Sequence, residues 1–527
     1  MDDPIRTEIM KHRLVSVAEE MGARLRQAAF SPNIKERCDF SCAVFDASGN
    51  LVAQAAHIPV HLGAMPLSVQ ACLETLTFEP GDVAMVNDPY RGGTHLPDIT
   101  VVSPIFQEGA QDSTLLGFVA NRAHHADIGG MSAGSMPLSQ EIYQEGVIIP
   151  PVKLIVEGKK NEDVWRLLLA NVRTPEERSG DLQAQLAANK IGVERIQAFA
   201  KRFGVQTLHG DMESLLLYSE RMTRQLIGHL PKGSYRFKDA LDNDGFTEEP
   251  VVIRVEITLD NDEVTVDFSG TDAQRPGSIN AVYPVTLSAV AYVFRCVLGL
   301  DIPANSGCLR PIQIIAPEGT VVNARRPAAV AAGNVEMSQR IVDVLLGALA
   351  QACPKRIPAA SQGTMNNLTI GGWDTRHGRH FAYYETIGGG LGAGPQIPGA
   401  NGRHSHMTNT LNTPVEAVEY AYPFRISRYA LREGSGGAGK HQGGHGLVRS
   451  YEFLQPAEIT LLSDRRNTKP YGLESGHPGK PGRNRLKRKG VETEVPGKYS
   501  FPVEEGDELS IETPGGGGFG NPYDVPP

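Results

Sequence analysis

The alternation of apolar and polar positions predicts a mixed α/β region at the start of the chain. Apolar residues recur every three or four positions between residues 4 and 30, which predicts an amphipathic helix. Apolar runs on both sides of the turn-forming segment 46–50 predict a β-hairpin. Three more strand-like runs follow at residues 83–86, 99–102 and 115–120. We therefore predict a first structural region over residues 1–160.

The periodicity becomes helical between residues 161 and 232. One break, at residues 171–178, contains a proline, which a helix interior does not accommodate. Alternating runs at 251–257 and 264–268 are separated by an acidic turn and predict a second hairpin. The change of pattern places a domain boundary near residue 232.

The last part of the chain combines two apolar stretches with many glycines. The stretches 285–300 and 341–352 are too short to span a bilayer and predict buried helices. Glycine clusters, which indicate backbone at positive φ or in close approach, occur at residues 388–392, 434–439 and 515–518. The predicted fold class is α+β and multidomain, with mixed sheets, a helical segment at 161–232 and a β-rich, glycine-dense region at 233–527.

Composition and charge narrow the class of protein. A chain of 527 residues exceeds a single core of roughly 250–300 residues. The net charge of −9 and the lack of a face-wide basic stretch argue against nucleic acid as a partner. No apolar run approaches the roughly 20 residues of a membrane span, and the N-terminus is acidic, so we expect a cytoplasmic protein. Six scattered cysteines fit reduced thiols.

The candidate chemistry lies in two polar segments, residues 87–98 and 121–127. His95 and Asp98 are three residues apart, and the intervening proline makes a turn the means of bringing them together. His124 and His125 follow a strand, where adjacent side chains point to opposite faces. At most one of the two can therefore bind the same metal ion as His95, and we favour His124.

A further carboxylate for this site could come from Asp39, Asp88 or Asp127. Histidine and aspartate without thiolates favour a metal site that keeps an open position for water, whose pKa a bound metal can lower to about 7. Zinc, manganese and iron all suit such ligands. The alternative is a set of hydrogen-bonded loop histidines.

Other common chemistries have weaker signals. The glycine clusters lack both the dinucleotide-binding and the phosphate-loop patterns, so we do not predict ATP binding by this chain itself. No Gly-x-Ser-x-Gly segment is present, and nothing local singles out one cysteine as a nucleophile.

Blocks spread over the whole chain resemble the hydantoinase B/oxoprolinase family. They are NDPY at 87–90, GTHLPD at 93–98, NVRTP at 171–175, GNVE at 333–336, TNTLNTPVE at 408–416 and TPGGGGFG at 513–520. The resemblance implies a partner, a hydantoinase A-type ATPase subunit, and a homodimer within a heterotetramer or larger assembly. It also implies ATP-dependent opening of cyclic amides such as hydantoins, 5-oxoproline or lactams. ATP, bound by the partner, would phosphorylate the amide oxygen, and water held by this chain's metal would attack.

The resemblance also implies roles for individual residues. The metal ligands would be His95, Asp98 and His124, with Asp39 as the fourth. Residues that would contact the substrate or orient the ligands are Asn121, Arg122 and His125. Asp127 and Glu145 are candidates for proton handling. The family motifs include Glu336, Asn409 and Glu416, whose roles cannot be read from the sequence.

Two other functions stay open at this point. The family contains subunits of acetone and acetophenone carboxylases, in which an activated ketone would meet phosphorylated bicarbonate; the length of this chain favours a hydrolase. In the other alternative the chain is a non-catalytic scaffold that shapes the ATPase partner's site.

Overall fold

The computed structural model describes residues 4–55, 57–108, 114–299 and 302–524. The helices in these ranges are α1 Pro4–Ala28, α2 Pro32–Lys35, α3 Ala64–Thr75, α4 Glu162–Leu169, α5 Pro175–Phe203, α6 Val205–Ile227, α7 Tyr283–Leu298, α8 Ser338–Ala352 and α9 Val415–Ala421. The first strands are β1 Phe40–Phe45, β2 Leu51–Gln54, β3 Val83–Val86, β4 Asp98–Phe106, β5 Leu115–His124, β6 Val152–Val156, β7 Lys159–Lys160, β8 Gly233–Leu241, β9 Val251–Asp260 and β10 Glu263–Asp267. The remaining strands are β11 Ile312–Ile315, β12 Asn367–Asp374, β13 Arg379–Glu385, β14 Phe424–Arg432, β15 Gly446–Phe453, β16 Ala457–Leu462, β17 Arg483–Arg488, β18 Val491–Val495, β19 Lys498–Val503 and β20 Glu508–Glu512.

The N-terminal region is built on an antiparallel sheet with the strand order β2-β1-β5-β4-β3-β6-β7. Helices cover both faces because successive side chains of a strand point to opposite sides. On β1, Val44 packs with α1 and α5, whereas Phe45 packs with α3 on the other face. The predicted N-terminal helix and first hairpin are confirmed. In the hairpin turn, Asp46 accepts hydrogen bonds from the N–H groups of Ser48 (2.9 Å) and Asn50 (2.8 Å).

The predicted helical segment is confirmed as α4, α5 and α6. The proline in the predicted break is Pro175, the first residue of α5, where a missing N–H costs nothing. The second predicted hairpin is β9 and β10, in a sheet of order β11-β10-β9-β8, and the predicted buried helices are α7 and α8. One apolar core contains residues from both sides of residue 232, so the domain division stays a prediction.

The C-terminal part contains the sheets β13-β12-β16-β19 and β14-β15-β20-β17-β18, which share one apolar core. Beside them, glycine-rich segments pack directly against one another. A Cβ on Gly516 would lie 2.0 Å from the Leu391 carbonyl oxygen, and one on Gly443 would lie 2.0 Å from the Gly516 oxygen. These glycines permit the close backbone approach that the sequence predicted.

The α+β, multidomain fold class is thus confirmed. Within the described ranges, the helices are all too short or too polar to cross a bilayer.

Candidate metal centre

Asp98 and His124 meet because they lie opposite each other on neighbouring strands. Asp98 is the first residue of β4 and His124 the last of β5, and the antiparallel register pairs these two positions. Directly opposed side chains have Cβ atoms about 4.5–5.5 Å apart. The turn before β4, in which the Asp98 N–H donates to the His95 carbonyl at 3.2 Å, brings in His95.

The loop that carries His95 is held by its own polar residues. The Asn87 amide donates to the carbonyls of Leu96 (2.8 Å) and Val147 (2.9 Å), so it closes the loop across its base. Gly92 has a φ of +89°, and a Cβ there would lie 2.3 Å from the Leu67 carbonyl carbon. Only glycine fits this conformation beside α3.

The three side chains converge on one carboxylate oxygen. Asp98 Oδ1 lies 3.1 Å from His95 Nε2 and 3.2 Å from His124 Nδ1. One ligand atom from each residue can be chosen so that all lie within 4.8 Å of one another. All three residues are buried. This is the one group of its kind in the part of the chain that the structure describes.

The other oxygen of Asp98 is held by protein donors. Asp98 Oδ2 accepts from Thr94 Oγ1 (2.5 Å) and from His61 Nε2 (3.3 Å). The second nitrogen of His61 is 2.8 Å from Ser41 Oγ. Sequence reasoning missed His61, because an isolated histidine between a strand and a helix carries no local sign of its partner.

Two residues from distant parts of the chain complete the surroundings. Asn334 Nδ2 lies 3.1 Å from His95 Nε2, and the Tyr384 ring stacks on the His124 ring with centroids 4.5 Å apart. Asn334 belongs to the GNVE motif noted in the sequence, whereas Tyr384 had no signal. The Ala331 carbonyl lies 3.3 Å from His95 Nδ1. A carbonyl can only accept, so the Nδ1–H of His95 donates to it, and Nε2 faces Asn334 and Asp98.

The environment favours the protonation states that metal ligands require. Burial lowers the pKa of His124 and that of His61, which keeps both imidazoles neutral. Burial opposes ionisation of Asp98, but the surrounding histidines His95, His124 and His61 outweigh it and hold the pKa of Asp98 well below its usual value. An ionised carboxylate beside the neutral imidazole of His124 can bind a cation.

The space beside Asp98 and His124 fits a single ion. Asp98 Oδ1 is buried and has no properly oriented hydrogen-bond donor among the described residues. Asp98 and His124 line a cavity of about 20 Å³ together with Asp39, His61 and Tyr384, whereas His95 is not among its lining residues. Such a volume holds about one water molecule. A buried, ionised oxygen without a donor is costly unless a cation compensates it, so these residues fit a divalent metal.

Asp39 lies at the edge of this group. It lines the cavity, and its carbonyl accepts the His124 N–H at 3.0 Å. It is not among the residues whose ligand atoms lie within 4.8 Å of one another. Burial raises the pKa of Asp39, although the nearby charge of Arg37 opposes the shift. Its assignment as fourth ligand stays a prediction.

Asn121 and His125 lie on the face of the sheet that packs against α5. The Asn121 amide donates to Asn189 Oδ1 (2.7 Å), and His125 Nε2 is 2.9 Å from Gln185 Oε1. Arg122 lies on the opposite face, where it donates to Thr100 Oγ1 (2.8 Å). Asn121 and His125 therefore hold α5 against the sheet, and contacts of these three residues with substrate stay predictions.

The two candidates for proton handling have different partners. Asp127 accepts from the Arg173 guanidinium (2.9 Å) and backbone N–H (2.7 Å), which ties it to the NVRTP motif. Glu145 accepts from the N–H groups of Val330 (2.8 Å) and Ala331 (2.9 Å). Because the Ala331 carbonyl contacts His95, Glu145 lies one peptide unit away from the cluster.

The structure also locates the three motif residues whose roles the sequence left open. Glu336 is buried and accepts from the Met365 N–H (2.9 Å) and the Asn367 amide (2.8 Å). The Asn409 amide donates to the His57 carbonyl at 3.2 Å, and Glu416 is exposed on α9.

Together, fold and site define an α+β protein with a buried His–Asp cluster between sheet and C-terminal region. The chain belongs to the hydantoinase B/oxoprolinase family, whose sequence profile matches residues 3–522. This confirms the resemblance drawn from the sequence motifs.

Relatives match nearly the whole chain. An uncharacterized protein of Methanocaldococcus jannaschii is 43% identical over 99% of this chain and 91% of its own length. The 5-oxoprolinase 1 of Arabidopsis thaliana is 41% identical over 98% of this chain, which spans 42% of that protein. A Pseudomonas sp. protein provisionally named as one subunit of a D-/L-hydantoinase is 32% identical over 100% of this chain and 91% of its own length.

Two solved structures share the fold. The ATP-dependent caprolactamase from Pseudomonas jessenii has a TM-score of 0.92 and 27% identity, over 100% of this chain and 92% of that one. An acetone carboxylase structure has a TM-score of 0.88 and 19% identity, over 99% of this chain and 76% of that one. The second likeness concerns the fold alone.

Proposed function

We propose that this chain is the metal-bearing hydrolytic subunit of an ATP-dependent enzyme that opens cyclic amides. The observation that carries the proposal is the buried cluster of His95, Asp98 and His124, in which Asp98 Oδ1 has neighbouring imidazoles but no oriented donor. The names of the relatives, 5-oxoprolinase and D-/L-hydantoinase, and of the caprolactamase structure support a cyclic amide as the substrate.

A divalent ion bound by these residues would act as a Lewis acid and lower the pKa of a water to about 7. The protein's own groups prepare the site for this. Thr94 and His61 hold one oxygen of Asp98 and leave the other free. Tyr384 stacks on His124 and fixes the plane of its ring. Such outer contacts keep metal ligands in their binding orientation.

An amide resists attack because resonance stabilises its carbonyl, so hydrolysis needs an activating step. In our proposal ATP is held by a separate hydantoinase A-type ATPase, which phosphorylates the amide oxygen and so removes that resonance. The naming of the Pseudomonas sp. relative as one subunit of an enzyme supports a second chain. The 42% coverage of the Arabidopsis 5-oxoprolinase leaves room in that protein for a further region. We propose a heterotetramer built on a homodimer of this chain.

A ketone carboxylase is the second candidate, and the fold shared with acetone carboxylase favours it. The two functions differ in their co-substrate. A carboxylase needs bicarbonate for ketone-dependent ATP turnover, whereas a hydrolase turns over ATP with a lactam or hydantoin and no bicarbonate.

The test combines metal analysis with turnover of the complex of this chain and its ATPase partner. We expect the wild-type complex to contain a divalent metal and to release ADP when 5-oxoproline, hydantoin or a lactam is added without bicarbonate. His95→Ala and Asp98→Asn should lose both metal and ring opening, because each removes a ligand from a buried cluster.

His12→Ala is the matched control, since the side chain of His12 is exposed on α1. It should retain metal and activity. Full metal content together with normal ring opening in both cluster variants would refute the site. A complex without bound metal whose ring opening survives replacement of His124 would favour the scaffold alternative. Turnover that needs both a ketone and bicarbonate would establish the carboxylase instead.

A further inference from the structure

The cavity at the metal cluster is too small for the proposed substrate. At about 20 Å³ it holds one ion or one water molecule, and a cyclic amide does not fit beside the ligands. A substrate must therefore occupy a neighbouring space.

Such a space lies on the other side of one layer of side chains. A cavity of about 250 Å³ has the lining residues Ser41, Gln54, His57, Ile58, Arg295 and Asn409, among others. Drug-sized ligands occupy roughly 300–1,000 Å³, so this volume suits a smaller molecule. We call it the Arg295 cavity.

Two contacts show that the Arg295 cavity adjoins the cluster. Ile58 lines both cavities. Ser41, in the wall of the Arg295 cavity, is hydrogen-bonded at 2.8 Å to His61, in the wall of the cluster cavity. A third link is Asn409, which lines the Arg295 cavity and lies between Thr408 and Thr410, two residues of the cluster wall.

Among the described residues that line the Arg295 cavity, one carries a positive charge and none carries a negative charge. Arg295 is the charged side chain among its described lining residues. The Arg295 guanidinium donates from Nη1 to the Ile302 carbonyl at 2.7 Å, and its other N–H groups have no acceptor within the described ranges. Burial lowers the pKa of His57 to about 4, so this imidazole is neutral near pH 7. The amides of Gln54 and Asn409 add uncharged polar groups.

We infer that the Arg295 cavity is the substrate-binding site and that it selects a cyclic amide with one negative charge, whose carboxylate pairs with Arg295. Ile58 and the Ser41–His61 pair then separate the bound ring from the cluster and must yield for the two to meet. The inference rests on the proposed function, because it is that function which requires a cyclic amide near the cluster.

Two probes that differ only in the carboxylate test this inference. They are 5-oxoproline and 2-pyrrolidinone, which share the lactam ring. Equilibrium dialysis of the full chain, without ATP, should show saturable binding of 5-oxoproline. Arg295→Met should weaken this binding at least about tenfold, since a charge-assisted pair is lost. Arg295→Lys keeps the charge and should restore most of the affinity. Arg310→Met removes an arginine outside the cavity and should have no effect.

The same variants give a kinetic measurement in the complex. Arg295→Met should lower, by at least about tenfold, the ratio of kcat/KM for 5-oxoproline to that for 2-pyrrolidinone. The inference would be overturned if 5-oxoproline did not bind. It would also be overturned if affinity and selectivity were the same in wild type and Arg295→Met. If Arg295→Met does not fold, Arg295→Lys against Arg295→Gln provides the same comparison.

The two proposals can fail separately. If 5-oxoproline binding depends on Arg295 but the complex opens no cyclic amide, the Arg295 cavity is supported as a binding site and the hydrolase function is refuted. Ring opening by a complex whose substrate selectivity does not change when Arg295 is replaced would support the hydrolase. It would refute the role of the Arg295 cavity as the substrate-binding site.

Discussion

The two carboxylate oxygens of Asp98 have different contacts. Oδ2 is held by Thr94 and His61, whereas Oδ1 faces the two imidazoles of the cluster. The spacing of His95 and Asp98 and the alternation at His124 were enough to pick these residues from the sequence. His61 could not be found in this way, because its contact with Asp98 spans 37 residues and follows from how the sheet packs.

Glu145 shows how burial should make stability depend on pH. Burial raises the pKa of Glu145 from 4.5 to about 7, even though three hydrogen-bond donors oppose the shift. The folded state therefore binds the proton more tightly than the unfolded state. Its contribution to stability is full below pH 4.5 and is lost as pH rises through about 7.

We predict that Glu145→Gln reduces the fall in Tm between pH 5 and 8, because glutamine stays neutral. The substitution removes a pH-dependent contribution to the free energy of unfolding of at most about 3 kcal/mol. Thermal unfolding of the metal-free chain across this range measures it. The Tm of the variant should still depend on pH to some extent, because burial also raises the pKa of Glu336 to about 7. Glu19→Gln, at an exposed position, should follow the wild-type curve, and a Glu145→Gln curve identical to it would contradict the prediction.

At the scale of elements, helices and strands followed the apolar periodicity closely. The glycine-rich segments did not have a periodicity to follow, and their arrangement depends on which segments lie side by side. The Gly516 N–H donates to the Gly444 carbonyl at 2.9 Å, and the Gly444 N–H donates to the Leu391 carbonyl at 2.8 Å. These bonds join stretches far apart in sequence, so sequence could indicate close approach but not the partners.

We predict that Gly516→Ala strongly destabilises the C-terminal region. Its Cβ would lie 2.0 Å from the Leu391 oxygen and 2.3 Å from the Leu391 carbon, and backbone atoms cannot rotate away. We expect a loss of about 3 kcal/mol or more, as for other overpacked sites. Urea unfolding measures it. Gly210→Ala is the matched control, because a Cβ there meets nothing within 4 Å in α6 and alanine favours a helix. Equal stability of the two variants would refute the argument.

At the scale of the whole molecule, buried charges connect α8 with the C-terminal sheets. Asp464 accepts from Arg340 of α8 (2.9 Å) and from Lys498 of β19 (2.7 Å). Arg465 pairs with Asp343 of α8 at 2.6 Å. Burial opposes ionisation of Asp464, but the charges of Lys498 and Arg340 outweigh it and hold its pKa well below the usual range. Stability from this network is therefore lost only as pH falls through the acid range.

We predict that Asp464→Asn costs about 3–5 kcal/mol, because it leaves Lys498 buried without its counter-charge and removes one of the three carboxylates that pair with Arg340. Hydrogen exchange should show α8 and β16 losing protection together, since Asp464, two residues beyond the end of β16, pairs with Arg340 of α8. Glu20→Gln breaks a half-exposed pair with Arg195 and should change stability by less than about 1 kcal/mol. Loss of protection in β16 alone would show that the network does not couple the two parts.

The sequence by itself determined the family, the order of helices and strands, and the three residues of the cluster. These follow from local periodicity, turn chemistry and short spacings, which involve residues close together in the chain. Tertiary structure decided what surrounds the cluster. The contact of His61 with Asp98 spans 37 residues and that of Asn334 with His95 spans 239, and the ring of Tyr384 reaches His124 from another sheet. The tertiary structure also decided that Asn121 and His125 face α5. The physical reason is that contacts between distant segments depend on how sheets and helices pack, which no local pattern records.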